Sequence, residues 1–232
     1  MSKEKPKILS LFSGAGGLDL GFRNAGFDIV TSNEIDSDTF ETYEHNFPKT
    51  NHLGRSVIKI GAEDLESYYD GIIGGPPCQS WSEAGKQKGI NDPRGKLFFE
   101  YVRILKLIKP KFFLAENVSG MLHKKHSESV KNITQKFSDV GYKVEYKLLD
   151  AVDYNVPQNR KRVFIIGIRN DIKDTFSFPP MGLFTPNKTL ADALEGLTKP
   201  LPALDKNKTN FDHKKMGSNQ VPNNEYMIGG FS

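Results

Sequence analysis

The alternation of short apolar segments with amphipathic ones between residues 7 and about 170 limits what this chain can fold into. Strand-like runs such as Ile8–Phe12 and Gly71–Gly74 alternate with segments whose apolar residues have helical spacing, such as Lys96–Lys109. Strands that alternate with helices build a mostly parallel sheet with helices on both faces. We therefore predict an α/β fold of the Rossmann-like kind, in which ligands bind beyond the carboxyl ends of the strands.

Length, charge and cysteine content narrow the class of protein further. The 232 residues suffice for one core, and after residue 175 the pattern fades into short pieces punctuated by prolines. We therefore predict a compact domain over residues 1–175 and an irregular segment over residues 176–232. The net charge of +4 permits a polyanionic partner without requiring one. The single cysteine, and the lack of an apolar run long enough for a signal peptide or a membrane span, favour a cytoplasmic protein without membrane contact.

A glycine-rich turn follows the first strand-like run. Phe12–Leu18 reads Phe-Ser-Gly-Ala-Gly-Gly-Leu, and glycines between a first strand and a first helix let backbone N–H groups approach a ligand closely. Gly14 and Gly16 fit a dinucleotide fingerprint, but Asp19 stands where the third glycine belongs, which disfavours a nicotinamide cofactor. Glu34 follows the second strand about twenty residues further on, where an acid can bind ribose hydroxyls. These residues predict a site for an adenosine-containing cofactor; a turn needed only for packing is the alternative.

The only cysteine of the chain lies in the segment Gly74–Ser82, which reads Gly-Gly-Pro-Pro-Cys-Gln-Ser-Trp-Ser. A lone cysteine is more often an inert, buried, small apolar residue. Cys78, however, follows a Gly/Pro loop at the carboxyl end of a strand and has polar neighbours. In such a setting exposed amides and basic groups can lower the pKa of a thiol, so we favour a nucleophile at Cys78.

Charged residues stand next to two later strands. Glu116 follows the apolar run Lys111–Ala115, and a solvent-facing strand edge explains it as well as a ligand site does. Arg160 and Arg162 precede the run Val163–Ile168. Paired guanidinium groups suit a phosphate or a planar polar base, although a solvated strand end explains them equally well.

Two histidines, His123 and His126, flank a pair of lysines. No acid or cysteine joins them at the spacing of metal ligands. We interpret them as part of a basic exposed turn and predict no metal.

The ordered series of motifs resembles the DNA cytosine-C5 methyltransferase family from Lys7 to about Arg169. Its segments are Phe-Ser-Gly-Ala-Gly-Gly at 12–17, Asn-Glu-Ile-Asp at 33–36, Gly-Gly-Pro-Pro-Cys-Gln-Ser-Trp-Ser at 74–82, Asp-Pro-Arg-Gly-Lys-Leu-Phe-Phe at 92–99, Glu-Asn-Val at 116–118 and Val-Pro-Gln-Asn-Arg-Lys-Arg-Val-Phe at 156–164. Residues 70–75 and 204–210 are most similar to HaeIII-type enzymes, which modify GGCC. The resemblance implies the fold of S-adenosylmethionine-dependent methyltransferases, a double-stranded DNA substrate and a restriction-modification system.

The resemblance also implies roles for individual residues. Cys78 would add to C6 of a cytosine flipped out of the duplex, and Glu116 would bind N3 and the amino group of that base. Arg162 would bind its O2, with Arg160 supporting the site or a phosphate. The residues expected to contact S-adenosylmethionine are Phe12, Gly14, Ala15, Gly17, Glu34, Ile35, Asp64, Pro77 and Leu97. The residues expected to contact DNA, in a mobile loop over residues 80–95 and just before it, are Gln79, Ser82, Lys86 and Arg94.

Two points stay open within the resemblance. The acid that reads the adenine amine in this family is either Asp64 or has been replaced by Ala62. The family's target-recognition domain and terminal Gly-Asn-x-Val segment are not identified here. We therefore expect one subunit of a split enzyme, whose second polypeptide carries that domain, or a truncated reading frame. A catalytically silent cofactor- or DNA-binding remnant and an RNA cytosine-C5 methyltransferase are the alternatives.

Overall fold

The computed structural model describes residues 4–77, 97–181 and 189–196. Within these ranges the chain forms a seven-stranded sheet in the order β3-β2-β1-β4-β5-β7-β6. The strands are β1 (Lys7–Leu11), β2 (Asp28–Asn33), β3 (Asn51–Leu53), β4 (Gly71–Gly74), β5 (Phe112–Val118), β6 (Tyr142–Asp150) and β7 (Lys161–Arg169). Strands β1 to β5 pair in parallel, whereas β7 runs antiparallel to β5. The predicted α/β fold with a mostly parallel sheet is confirmed.

Five α-helices lie in the described ranges: α1 (Gly17–Asn24), α2 (Phe40–Asn46), α3 (Leu97–Ile108), α4 (Ser127–Asp139) and α5 (Leu190–Leu194). The first four alternate with strands, as predicted, and α4 ends just before Gly141, whose φ of 99° requires the freedom of a glycine. The carboxyl ends of β1, β2, β4 and β5 lie at one edge of the sheet. Because β7 is antiparallel, its first residues lie at that same edge.

The core occupies both sides of the sheet. Because alternate residues of a strand face opposite sides, Leu9 and Phe113 belong to the larger cluster, which packs against α3 and α4. Ile8 and Ile73 belong to the smaller cluster, together with Tyr43 of α2. Burying each large apolar side chain contributes about 1.5–3 kcal/mol, so these two clusters hold the helices on the sheet.

The side that carries α1 also has an open apolar groove of about 630 Å³. It is lined by residues of α1 and the turn after it, of β5 and β7, and of the segment after β7: Gly17, Leu18, Gly21, Phe22, Ala25, Phe27, Phe112, Phe113, Leu114, Phe164, Ile166, Ile168 and Phe176. On this side of β5, Phe112 and Leu114 are only partly buried, whereas Ala115, which faces the other side, is fully buried.

Two compact units can be distinguished. The first comprises Met1–Leu149 and Lys161–Phe178, and the second comprises Asp150–Arg160 with the described part of Pro179–Ser232. The boundary after residue 175 stays a prediction. Across the described residues, no helix has both the length and the apolar character that crossing a membrane requires.

Three local predictions need correction. Strand β5 continues through Glu116 to Val118, and β7 already begins at Lys161, so Glu116 and Arg162 lie inside strands instead of beside them. The antiparallel pairing of β5 with β7 extends both strands through polar residues. His126 is not part of an exposed turn: it is only 5% exposed, and burial lowers its pKa because the charged ring is disfavoured there.

Candidate active site

The glycine-rich turn after β1 has an unusual backbone. Phe12, Gly14 and Gly16 have φ angles of 56°, 52° and 89°. The Ser13 N–H donates to the Asn33 carbonyl at 3.0 Å, which ties the turn to the end of β2. A Cβ atom on Gly16 would lie 2.5 Å from Cε2 of Phe47, so both the φ angle and the packing require glycine there. Ala15 and Gly17 are exposed on the outside of the turn.

Glu34 fixes this turn from the end of β2. Its Oε2 accepts the Gly14 N–H at 2.9 Å, and its Oε1 accepts the N–H groups of Ile35 and Asp36 at 2.7 and 3.0 Å. Ile35 is 67% exposed, which leaves its apolar side chain beside the turn available for contact. The structure therefore brings together Gly14, Glu34 and Ile35, three of the residues predicted to contact the cofactor, and that role stays a prediction.

A cleft of about 180 Å³ opens beside the turn. It is lined by Ser10, Leu11, Phe12, Ser13, Leu18, Asp19, Gly74, Gly75 and Glu116. The cleft therefore joins the glycine turn after β1 to the ends of β4 and β5.

Glu116 and Arg162 form an ion pair across two neighbouring strands. The Arg162 Nε lies 2.9 Å from Glu116 Oε1, and the two side chains are 28% and 21% exposed for Glu116 and Arg162, respectively. In the β5–β7 register Glu116 lies opposite Phe164 and Val118 opposite Arg162, so the pair is diagonal on one face. A Cβ atom on Gly75 would lie 3.2 Å from Glu116 Oε2, which places Glu116 directly against the segment that leads from β4 to Cys78.

Asn117 holds the same segment from the other face of β5. It is 1% exposed, and its Nδ2 donates to the carbonyl of Pro76 at 3.1 Å. Its Oδ1 accepts the Val118 N–H at 3.0 Å. Since buried amides are costly unless hydrogen-bonded, this contact fixes the backbone immediately before Pro77 and Cys78.

The remaining cofactor residues of the prediction differ in their surroundings. Asp64 accepts the Gly61 N–H at 2.9 Å and pairs with the Arg55 guanidinium, and these contacts lower the pKa of its carboxyl group. Leu97, at the start of α3, is partly buried against the larger core cluster. Pro77 is partly buried at the end of the described segment after β4.

The other predicted site residues either follow the described segment after β4 or belong to the second unit. Cys78 and the four residues expected to contact DNA, Gln79, Ser82, Lys86 and Arg94, lie outside the described residues. Arg160 belongs to the second unit, where its N–H donates to Asp150 Oδ1 at 2.9 Å. Within the ranges the structure describes, no group of three or more His, Cys, Asp or Glu side chains could hold a metal ion.

Comparison with known proteins identifies the family to which the chain is similar. A sequence profile described as C-5 cytosine-specific DNA methylase matches residues 6–229. The Type II methyltransferase M.FnuDI of Fusobacterium nucleatum is 54% identical over 228 residues, 97% of this chain and 64% of that protein. M.NgoPII of Neisseria gonorrhoeae is 51% identical over 230 residues, 97% of this chain and 65% of that protein.

The fold agrees with these matches. A solved structure described as a DNA modification methyltransferase encoded within an Escherichia coli prophage aligns with a TM-score of 0.72 and 35% identity. The alignment covers 84% of this chain and 56% of that one. The chain belongs to the C-5 cytosine-specific DNA methylase family. As a member of that family it spans 64% to 66% of the length of three curated relatives.

Three residues of this member of the family were given no role from sequence. Asp19 was noted only as a departure from a dinucleotide fingerprint, yet it lies in the wall of the cleft. Gly75 lets Glu116 approach the segment after β4, and Asn117 anchors that segment through Pro76. The amide of Asn117, which continues the strand beyond the apolar run that ends at Ala115, was the signal that could have drawn attention to this residue.

Proposed function

We propose that this chain is the catalytic part of a DNA cytosine-C5 methyltransferase that acts on a flipped-out cytosine through Cys78. The observation that carries the proposal is the Glu116–Arg162 pair at the shared edge of β5 and β7, in contact with Gly75. The pair supplies a carboxylate and a guanidinium group for a planar polar base. Gly75, which Glu116 approaches, lies three residues before Cys78, the only cysteine of the chain. The family match supports the same reaction class.

The role of Cys78 follows from the chemistry of cytosine. C5 of the aromatic ring is a poor nucleophile. The Cys78 thiolate would form a bond to C6, which interrupts the aromatic system and makes C5 nucleophilic like an enamine. C5 would then take the methyl group as its bond to the sulfonium sulfur of S-adenosylmethionine breaks, which leaves S-adenosylhomocysteine. A base would remove the C5 proton, and elimination would break the bond to Cys78 and restore the aromatic ring. Because C5 and C6 are stacked inside a duplex, the cytosine has to leave the helix first.

Glu116 and the arginines would bind the base in this reaction. Glu116 is suited to contact N3 and the exocyclic amine, where charge changes as the thiolate adds. Arg162, held by Glu116, would donate to the cytosine O2, and we assign Arg160 to the support of the site or to a phosphate. Rigid placement of such groups is what lowers the barrier, since they need no reorganisation during the reaction.

S-adenosylmethionine would supply the electrophilic methyl group carried on its sulfonium sulfur. The turn is suited to it, because a Cβ atom on Gly14 or Gly17 would meet nothing within 4 Å, so the backbone is open to a ligand. Glu34 would accept from the ribose and Ile35 would pack on the adenine. The other cofactor contacts we propose are Phe12, Ala15, Asp64, Pro77 and Leu97. Asp64 is already engaged by Arg55, so Ala62 in place of the adenine-reading acid is the alternative.

DNA is the proposed substrate, with Gln79, Ser82, Lys86 and Arg94 as contacts from the segment after Cys78. The similarity to HaeIII-type sequences favours GGCC as the target, within a restriction-modification system of the cytoplasm. The relatives have about a third of their length outside the match. We propose that the target sequence is read there, in the same chain or in a second polypeptide.

Trapping of a covalent adduct tests the proposal. The 232-residue chain, and a chimera extended by the unmatched part of M.FnuDI, are incubated with S-adenosylmethionine and a GGCC duplex that carries 5-fluorocytosine. Because no C5 proton can leave, we expect an adduct that survives denaturation. Cys78→Ser should abolish it, while the matched variant Ser80→Ala should retain it.

The controls decide between the alternatives. A duplex without GGCC and an RNA strand with the same cytosine should give less adduct than the GGCC duplex. An adduct of full yield in Cys78→Ser would exclude Cys78 as the nucleophile. A stronger reaction with the RNA would overturn the DNA substrate, and no adduct with either protein would favour a catalytically silent chain.

A further inference from the structure

Asp19 is a fully buried acid with no role in the chemistry above. It lies in the first turn of α1, and its side chain is 0% exposed. Ser10 Oγ donates to its Oδ1 at 2.6 Å and Tyr43 Oη donates to its Oδ2 at 2.6 Å. Both partners are neutral hydroxyl groups, and in the described part of the chain no Lys, Arg or His side chain forms an ion pair with it. A buried carboxylate without a cation is costly to a fold.

The residues around Asp19 offer a reason for keeping an acid without a cationic partner at this buried position. Asp19 and Ser10 are buried residues in the lining of the cleft beside the glycine turn, and Glu116 lines the same cleft. Glu116 is compensated by the guanidinium of Arg162. Among the described residues that line the cleft, Asp19 is therefore the acid without a cationic partner. Burial raises the pKa of its carboxyl group because the charged form is disfavoured there, and a cation in the cleft would oppose this shift.

We propose that Asp19 is the anion that recognises the α-ammonium group of the cofactor's methionine tail, acting through the Ser10 hydroxyl. This inference rests on the proposed function. An ammonium N–H would donate to Ser10 Oγ while Ser10 donates to Asp19, and such a chain of hydrogen bonds strengthens each member in a buried site. Asp19 is thus a positioning residue, since Ser10 and not Asp19 would touch the ligand.

An ammonium site at Ser10 and Asp19 agrees with the positions proposed for the other parts of the cofactor. The adenosine end belongs at Glu34 and Ile35, and the transferred methyl group has to face the base near Glu116. The amino-acid tail is then the part of the cofactor left for Ser10 and Asp19, and its ammonium is the group that complements an acid. The residue that excludes a dinucleotide fingerprint at position 19 would thereby select a cofactor with a cationic tail.

Binding of three ligands to the Asp19→Asn variant tests the inference. S-adenosylmethionine and S-adenosylhomocysteine both carry the α-ammonium, whereas 5′-methylthioadenosine has the adenosine and the thioether but no amino-acid tail. Loss of a charge-assisted contact should lower the affinity for the first two by about 10- to 100-fold. The affinity for 5′-methylthioadenosine should stay the same. Calorimetric titration of the full chain, or of the chimera above, gives all three values.

The Tyr43→Phe variant is the matched control. It removes the other hydrogen bond to Asp19 but keeps the carboxyl group, so it should lower stability without changing the ratio of the three affinities. An equal loss for all three ligands in Asp19→Asn would show a structural role only. No loss, or a loss confined to S-adenosylmethionine, would also overturn the inference, the latter because the sulfonium would then be the group recognised. If the unaltered protein binds none of the ligands, the proposed function itself is wrong.

Discussion

The glycine turn beside Glu34 and the Glu116–Arg162 pair are held in place by different kinds of contact. Around the turn, the carboxylate of Glu34 is engaged by three backbone N–H groups, and Gly16 packs directly on Phe47. At the strand edge, Glu116 and Arg162 hold each other through side chains that are each more than a fifth exposed. The proposed cofactor half of the site is therefore built into the backbone, whereas the proposed base half depends on long side chains.

Because the two parts are held differently, we expect substitutions in each part to change different measurable properties. Changes at the turn should act on cofactor affinity and on stability, because the backbone there is part of the fold. Changes at the Glu116–Arg162 pair should act on the rate of methyl transfer and leave cofactor binding intact. The following substitutions test whether the two halves are independent.

The largest effect is expected for Glu116→Gln. Removing a group placed to stabilise the reacting base should lower the single-turnover rate of methyl transfer by about 10²- to 10⁴-fold. Affinity for S-adenosylhomocysteine should not change, which a titration of the same variant checks. A loss of cofactor affinity as large as the loss of rate would mean that the halves are coupled.

A smaller effect is expected for Glu34→Ala. It deletes the hydrogen bond to Gly14 N and a proposed charge-assisted contact to the ribose, so cofactor affinity should fall by about 10- to 100-fold. Binding of duplex DNA, followed by a mobility-shift titration, should be retained. Asp36→Ala, a neighbouring acid whose side chain accepts from Asp38 N, is the matched control. Unchanged cofactor affinity in Glu34→Ala would place the ribose elsewhere.

Gly16→Ala should destabilise the fold itself. The new Cβ atom would meet Phe47 at 2.5 Å, and φ of 89° is unfavourable for alanine. We expect the free energy of unfolding to fall by about 1–3 kcal/mol. Gly21→Ala in α1 meets nothing within 4 Å and should instead add about 0.5–1 kcal/mol. Urea denaturation compares the two, and equal effects would argue against the tight packing of the turn.

The smallest effect is a loss of stability in mild acid. Burial lowers the pKa of His52, which accepts from or donates to Ser32 Oγ at 2.8 Å, although Glu44 and Glu34 partly oppose the shift. The unfolded chain, with a histidine pKa of about 6.5, then binds more protons than the folded one. The free energy of unfolding should therefore fall as the pH drops below about 6.5. His52→Asn should flatten this decline between pH 7 and 5; an unchanged slope would assign the decline to other groups, such as His126.

The elements that carry the glycine turn and Glu34 were predicted more accurately than those that carry Glu116 and Arg162. Gly14, Glu34 and Ile35 are close in sequence to the strand ends that position them, so local pattern suffices there. Glu116 was placed after its strand because the apolar run ends at Ala115, yet pairing with the distant β7 continues the strand.

Contacts between distant segments explain what else was missed. The bond between Asn117 and Pro76 joins residues 41 apart, and no local pattern predicts it. The burial of His126 likewise comes from tertiary packing, which overrides the exposed character that its basic neighbours suggest. The roles proposed for Cys78 and the residues after it stay predictions.

The order of the strands in the sheet also determines which part of the site can form first during synthesis on the ribosome. Strand β7 lies between β5 and β6, although it is made after both of them. Domains fold as the chain emerges, at about 5–20 residues per second. A nascent chain that ends after α4 would already contain the turn and Glu34, while Glu116 would still lack Arg162, and β6 would next emerge without its neighbour. Translation would thus complete the proposed cofactor half before the proposed base half.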